Sequence, residues 1–119
     1  MKFICIVAIP MDPELKNSRD DQLTIQLRVD ASGKPSPKGH SFGWRGIPTH
    51  NEDVFPFIMK ANGQLDFGKY DEAIDRFGGI DLLEKDRVSV GVNFVFTENE
   101  EDMNYIIKTV ETIVTGAST

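Results

Sequence analysis

Both histidines, the only tryptophan and three basic residues, Lys34, Lys38 and Arg45, fall within the twenty positions from Ala31 to His50, which contain no acid. His40 and His50 change protonation near neutral pH, so with Glu52 or Asp53 as a carboxylate partner they have the group types needed to move a proton. No nucleophile or orienting residue stands at a spacing that completes such a site, and two histidines ten residues apart supply too few ligands for zinc. The glycines of the stretch do not follow a strand and open a helix, so they form no phosphate cradle. No catalytic residue, metal ligand or cofactor is therefore assigned. What remains is a basic, aromatic surface made by His40, Trp44, Arg45 and His50, suited to an anionic small molecule or a phosphate. A structural role competes with it, in which Phe42, Trp44 and Ile47 plug an open side of the fold while the basic heads stay in water.

The opposite charge gathers elsewhere. The stretch carries +3 against -6 for the whole chain, which leaves -9 on the other 99 residues. Glu98, Glu100, Glu101 and Asp102 place four carboxylates in five positions, and Asp71, Glu72 and Asp75, with Asp81, Glu84 and Asp86, add more. In the first turn of a helix such acids offset the dipole; gathered on one side of a fold they form a surface that steers and holds a basic protein. A nuclease offers such a partner, because the cleft that accepts a polyanion is basic. The expected function is that of a non-enzymatic binding protein, an inhibitor or immunity or antitoxin-like protein. Its acidic surface, Asp71, Glu72, Asp75, Glu98, Glu100, Glu101 and Asp102, would recognise a basic protein partner such as a nuclease toxin. The alternative is a small enzyme or anionic-ligand-binding domain using loop 31–50. Net charge argues against direct nucleic-acid binding, and a homo-oligomer formed through a wet sheet face or a free strand edge stays open.

These residues must be positioned by a chain of 119 residues, the length of one ordinary domain, with residues 1–115 as the globular part and 116–119 as a frayed tail. Residues 2–9 are apolar on both alternating faces and read as a central strand; the run is short for an export signal and far too short to span a bilayer. Its single Cys5 excludes an internal disulfide and suits the reducing cytoplasm. From Leu23 to Asp30 apolar and polar residues alternate strictly, as in a half-buried strand. Residues 31–50 read as a long loop. Residues 51–67 admit a short helix opened by Pro56 or a hairpin turning at Asn62-Gly63, with the helix preferred.

Tyr70, Ala73, Ile74 and Phe77 fall at helical spacing ahead of Gly78 and Gly79, which would stop a helix there. Val88 to Phe96 alternates as a strand. Thr97 with Glu100 has the pattern of a capping box, and Met103, Ile106, Ile107, Val110, Ile113 and Val114 form an apolar stripe, so the chain is expected to end in an amphipathic helix. The expected fold class is α+β: an antiparallel sheet of three to five strands with two or three helices packed mainly on one face. Tyr105, Phe55 and Phe57 are the aromatic residues whose exposure would be informative.

Overall fold

A computed structural model describes residues 2–15, 21–36, 41–46, 54–70, 74–98 and 100–113, with the backbone alone for 68–70 and 74–77. Eight strands, β1 (Lys2–Pro10), β2 (Leu23–Val29), β3 (Ser41–Arg45), β4 (Phe55–Met59), β5 (Gln64–Tyr70), β6 (Ile74–Ile80), β7 (Asn93–Glu98) and β8 (Glu101–Thr112), follow one another in the chain. Each pairs antiparallel with the next, and β1 pairs with β8, which closes an up-and-down barrel. The α+β expectation is thus overturned: the fold is all-β. Among the described residues there is no α-helix; a 3-10 turn lies at Leu82–Glu84.

Alternation puts one face of every strand inside. Ile4, Ile6 and Ala8 of β1 meet Leu23, Ile25, Leu27 and Val29 of β2 in the interior, all at most 3% exposed. Phe57, Met59, Leu65, Phe67, Ile80, Phe94, Phe96, Tyr105 and Ile107 complete the core, so the barrel is filled by its own side chains. Small residues make room for large ones. A β-carbon on Gly43 would stand 2.0 Å from the Thr24 carbonyl oxygen and 3.0 Å from the Phe57 ring, so this glycine permits both the close approach of β3 to β2 and the seating of Phe57. Gly78 and Gly79, expected to stop a helix, lie inside β6, where Gly78 sits under the Phe96 ring.

The expected C-terminal helix is the strand β8, and its misleading period has a physical cause. Met103, Tyr105 and Ile107 point inward at a spacing of two; the register against β1 then slips by one residue between Ile107 and Thr109, so the next inward residue is Val110. Ile106 faces outward beside Ile9. A strand with one bulge and apolar residues on both faces therefore mimics the three-and-four spacing of a helix. Thr97 and Glu100 belong to no helix cap either. They flank a hairpin in which Glu100 takes φ 64°, and the Thr97 hydroxyl donates across it to Asp102 at 2.7 Å.

The segment at 69–77 is likewise two strands, β5 and β6, with residues 71–73 between them outside the described residues. The preferred helix at 51–67 is the hairpin β4–β5: the Gly63 N–H donates to Lys60, Lys60 donates to Gln64, and Gly63 has φ 86°. The strand foreseen from Val88 begins only at Asn93, and Val90 is 63% exposed. Loop 31–50 contains β3, whose inward residues Ser41, Gly43 and Arg45 carry no apolar signal for a strand.

Candidate functional site

Among the described residues, three places on the barrel bring chemistry-bearing or exposed apolar residues together. The first is the interior of the upper end, where β1 and β7 finish and β2 and β8 begin. Arg45, the last residue of β3, points inward; its guanidinium bonds Asp21 at 2.6 Å and Glu98 at 3.1 and 3.3 Å. The guanidinium carbon lies 5.9 Å from the centre of the Phe96 ring. The Tyr105 hydroxyl donates to the Asp21 carbonyl at 2.6 Å, and its ring stacks on Phe94 and meets Phe96 edge-on.

Burial works against the charge on Arg45, but the bond to Asp21 and the nearby Glu98 outweigh it and hold the guanidinium above its ordinary pKa. Burial, partly countered by Arg45, pushes the Tyr105 phenol well above its ordinary range. The cation is engaged by two carboxylates beside a ring, an arrangement that ties the end of β3 to the end of β7 and to the residues before β2.

The second place is on the outer wall. Phe42 and Trp44 of β3 and Pro56 and Ile58 of β4 face outward in adjacent registers, Phe42 opposite Ile58 and Trp44 opposite Pro56. With Asp66 at one side and Phe57 and Phe67 as the floor, they line a groove of about 570 Å³. Phe42 is 47% and Ile58 49% exposed, unusual for large apolar side chains grouped on one face.

The groove exists because β4 and β5 part. Their ladder holds Ile58↔Asp66 and Met59↔Leu65, and the next position whose N–H would point at β5 is Pro56, which has none to donate. On the other side β5 carries a bulge between Asp66 and Lys69. Below the opening, the rings of Phe57 and Phe67 meet edge-on with centres 5.4 Å apart. This lining, apolar and aromatic with one carboxylate, has the size and character of a binding groove.

The third is the lower mouth, a cleft of about 250 Å³ with Lys2 and Arg87 at its rim.

The expected sites are rearranged by this geometry. Trp44 and Arg45 are consecutive on a strand and face opposite sides of the wall, so they cannot share one loop site; His40 and His50 lie outside the described residues. Phe42 does reach the outer face of β1, 6.1 Å from the Phe3 ring, whereas Ile47 lies outside the described residues. Of the acids expected to form one surface, Glu98 is turned inward to Arg45, and Glu100, Glu101 and Asp102 are exposed at the β7–β8 hairpin. Asp75 is in β6, and Asp71 and Glu72 lie outside the described residues. Asp81 is occupied in the connection after β6, where it accepts from the Val95 N–H at 2.7 Å.

Tyr105 is fully buried, Phe57 nearly so, and Phe55 half-buried against the core, whereas Phe42 and Ile58 are exposed. Ile58, Pro56 and Asp66 are absent from the expected site residues; the apolar character of both alternating faces of residues 55–59 was a signal for Pro56 and Ile58, and none pointed to Asp66. Among the described residues no helix is long and apolar enough to cross a membrane, and no group of acidic, histidine or cysteine side chains is placed to hold a metal. Comparison with protein-family models, with curated proteins and with solved structures finds no match for this chain.

Proposed function

We propose that the chain is a binding protein whose wall groove between β3 and β5 anchors an extended segment of a basic protein. The observation that carries this reading is the outward apolar group above the Phe57–Phe67 floor, in which Phe42, Pro56 and Ile58 are exposed and Trp44 is half-buried. Aromatic side chains grouped at a pocket are the usual anchors of protein interfaces. Charge favours a basic occupant: Asp66 borders the groove and the chain carries -6. At the upper end Asp12, Glu14, Glu100, Glu101 and Asp102 are exposed, a field that speeds the approach of a positive partner without having to touch it. An inhibitor or immunity role toward a nuclease toxin is one form of this function, and a cytoplasmic site of action goes with it, supported by the single unpaired Cys5.

Trp44 is the chain's only tryptophan and lines the groove, so its fluorescence reports occupancy. Titration with synthetic extended peptides alternating Arg or Lys with Leu or Phe is expected to shift Trp44 emission saturably at low salt, and to weaken as salt rises. Ile58→Asp and Phe42→Asp should each weaken the response about tenfold or more, while acidic peptides of the same apolar pattern give none. An unchanged emission with every basic peptide, or equal binding by both variants, overturns the proposal. Concentration-dependent mass in the absence of peptide would instead assign the groove to a second copy of the chain.

A further inference from the structure

The lower mouth of the barrel carries cations in a chain that is acidic overall. Lys2 opens β1, and Arg87 belongs to the connection between β6 and β7; both are exposed, and neither forms an ion pair with any described residue. They border one cleft of about 250 Å³ with a mixed lining: Ile4, Val29 and Val110 come from inside the barrel and Val88 from the connection, while Ser32, Ser89 and Thr112 add polar groups.

The cleft is held in shape by backbone. The Val88 N–H donates to Gly33 at 2.9 Å, tying the β6–β7 connection to the turn that follows β2. The stem of Arg87 then lies across Gly33, where a β-carbon would come within 3.3 Å of its Cγ. The one acid in the lining, Asp30, is committed to that turn. Its Oδ1 accepts from the Ser32 hydroxyl at 2.6 Å and from the Ser32 and Lys34 N–H groups at 2.8 and 3.0 Å, bonds that hold it below the ordinary carboxylate pKa.

We infer that this mouth is a second binding site, for a small carboxylate with a short apolar body: the carboxylate on Arg87 and Lys2, the body on the floor made by Ile4, Val29, Val88 and Val110. A guanidinium and a carboxylate match as two parallel hydrogen bonds, and the apolar floor distinguishes such a ligand from a bare anion. The volume lies below the range that holds drug-sized molecules, so a body of roughly six to eight carbon atoms fits better than a long acyl chain. The inference does not depend on the wall groove, which lies on β3 to β5 and shares no lining residue with this cleft.

The test is titration of the intact chain with hexanoate and benzoate, followed by amide chemical shifts. Hexylamine and inorganic phosphate serve as comparators. Saturable shifts confined to residues 2–4, 29–34, 87–90 and 110–112 are expected for the two carboxylates and for neither comparator. Arg87→Gln should raise the dissociation constant about tenfold and Lys2→Gln by a smaller factor, with Trp44 emission unchanged in both. Both substitutions are at exposed positions, so folding is retained and checked by the unperturbed part of the spectrum. Equal shifts with hexylamine, undiminished carboxylate binding in Arg87→Gln, or no saturation with either carboxylate would each overturn the inference. Binding of phosphate as tight as that of hexanoate would reassign the cleft to bare anions and overturn the role of the apolar floor.

Discussion

Arg45 holds two carboxylates that have little other reason to be together. The side chains of Arg45, Asp21 and Glu98 are 21%, 15% and 20% exposed, so the ion pairs are shielded from bulk water without being sealed from it. Replacing Arg45 by methionine keeps the apolar stem and leaves two half-buried negative charges facing each other. A loss of about 2–3 kcal/mol is expected, at the lower edge of the cost of breaking a fully buried pair, and urea unfolding at neutral pH measures it. Tyr105 gives the same corner a pH dependence. Its folded pKa is raised above the value of an unfolded tyrosine, so its contribution is complete below about pH 10 and is lost as pH rises beyond that, when the unfolded chain ionises and the folded one does not. Stability should therefore fall steeply above about pH 10, and Tyr105→Phe should flatten that fall while lowering stability at neutral pH through the lost bond to Asp21. An equally steep alkaline fall in Tyr105→Phe would count against this assignment.

Individual strands depend on residues that look unlike strand formers. Gly43 stands at the narrowest contact between β2 and β3, and the atom a β-carbon would strike is a backbone carbonyl, which cannot move aside. Gly43→Ala should cost about 3 kcal/mol, read as a lowered thermal midpoint, whereas alanine at Gly79, where nothing lies within 4 Å, should be nearly neutral. The same residues explain how far the elements can be read from sequence. Leu23 to Val29 shows its inward face plainly, because every inward residue is a large aliphatic one, and the alternation there names the core correctly. β3 hides, since its inward Ser41, Gly43 and Arg45 are chosen for a close approach and an ion pair instead of burial. β8 hides for the opposite reason: it is apolar on both sides of a bulge, and the resulting spacing matches a helix better than a strand. In β4 the hairpin signal Asn62-Gly63 was present, but Pro56, which reads locally as a helix start, is there to end a ladder. The acid-rich hairpin at 98–102 could be seen as a charge cluster, while the inward turn of Glu98 depends on a partner 53 positions away.

At the level of the whole barrel, closure removes every free strand edge along β1 and β8, where the antiparallel register runs from Ile4↔Thr112 to Pro10↔Tyr105. Deleting β8 would uncover the unpaired sides of β1 and β7, together with the Phe94 and Phe96 rings that pack on Tyr105. A chain ending at residue 98 should consequently self-associate at micromolar concentration, visible as a broadened or early-eluting species in size-exclusion chromatography, where the full chain elutes at its own size. The partner that satisfies β1 is thus the one synthesised farthest from it. During translation the first strand emerges with both apolar faces bare and must wait for roughly a hundred further residues before its second neighbour exists, which at ordinary elongation speeds is on the order of ten seconds. Closure is therefore a late, long-range event, and the nascent chain is most exposed to chaperones and to sticking partners in that interval.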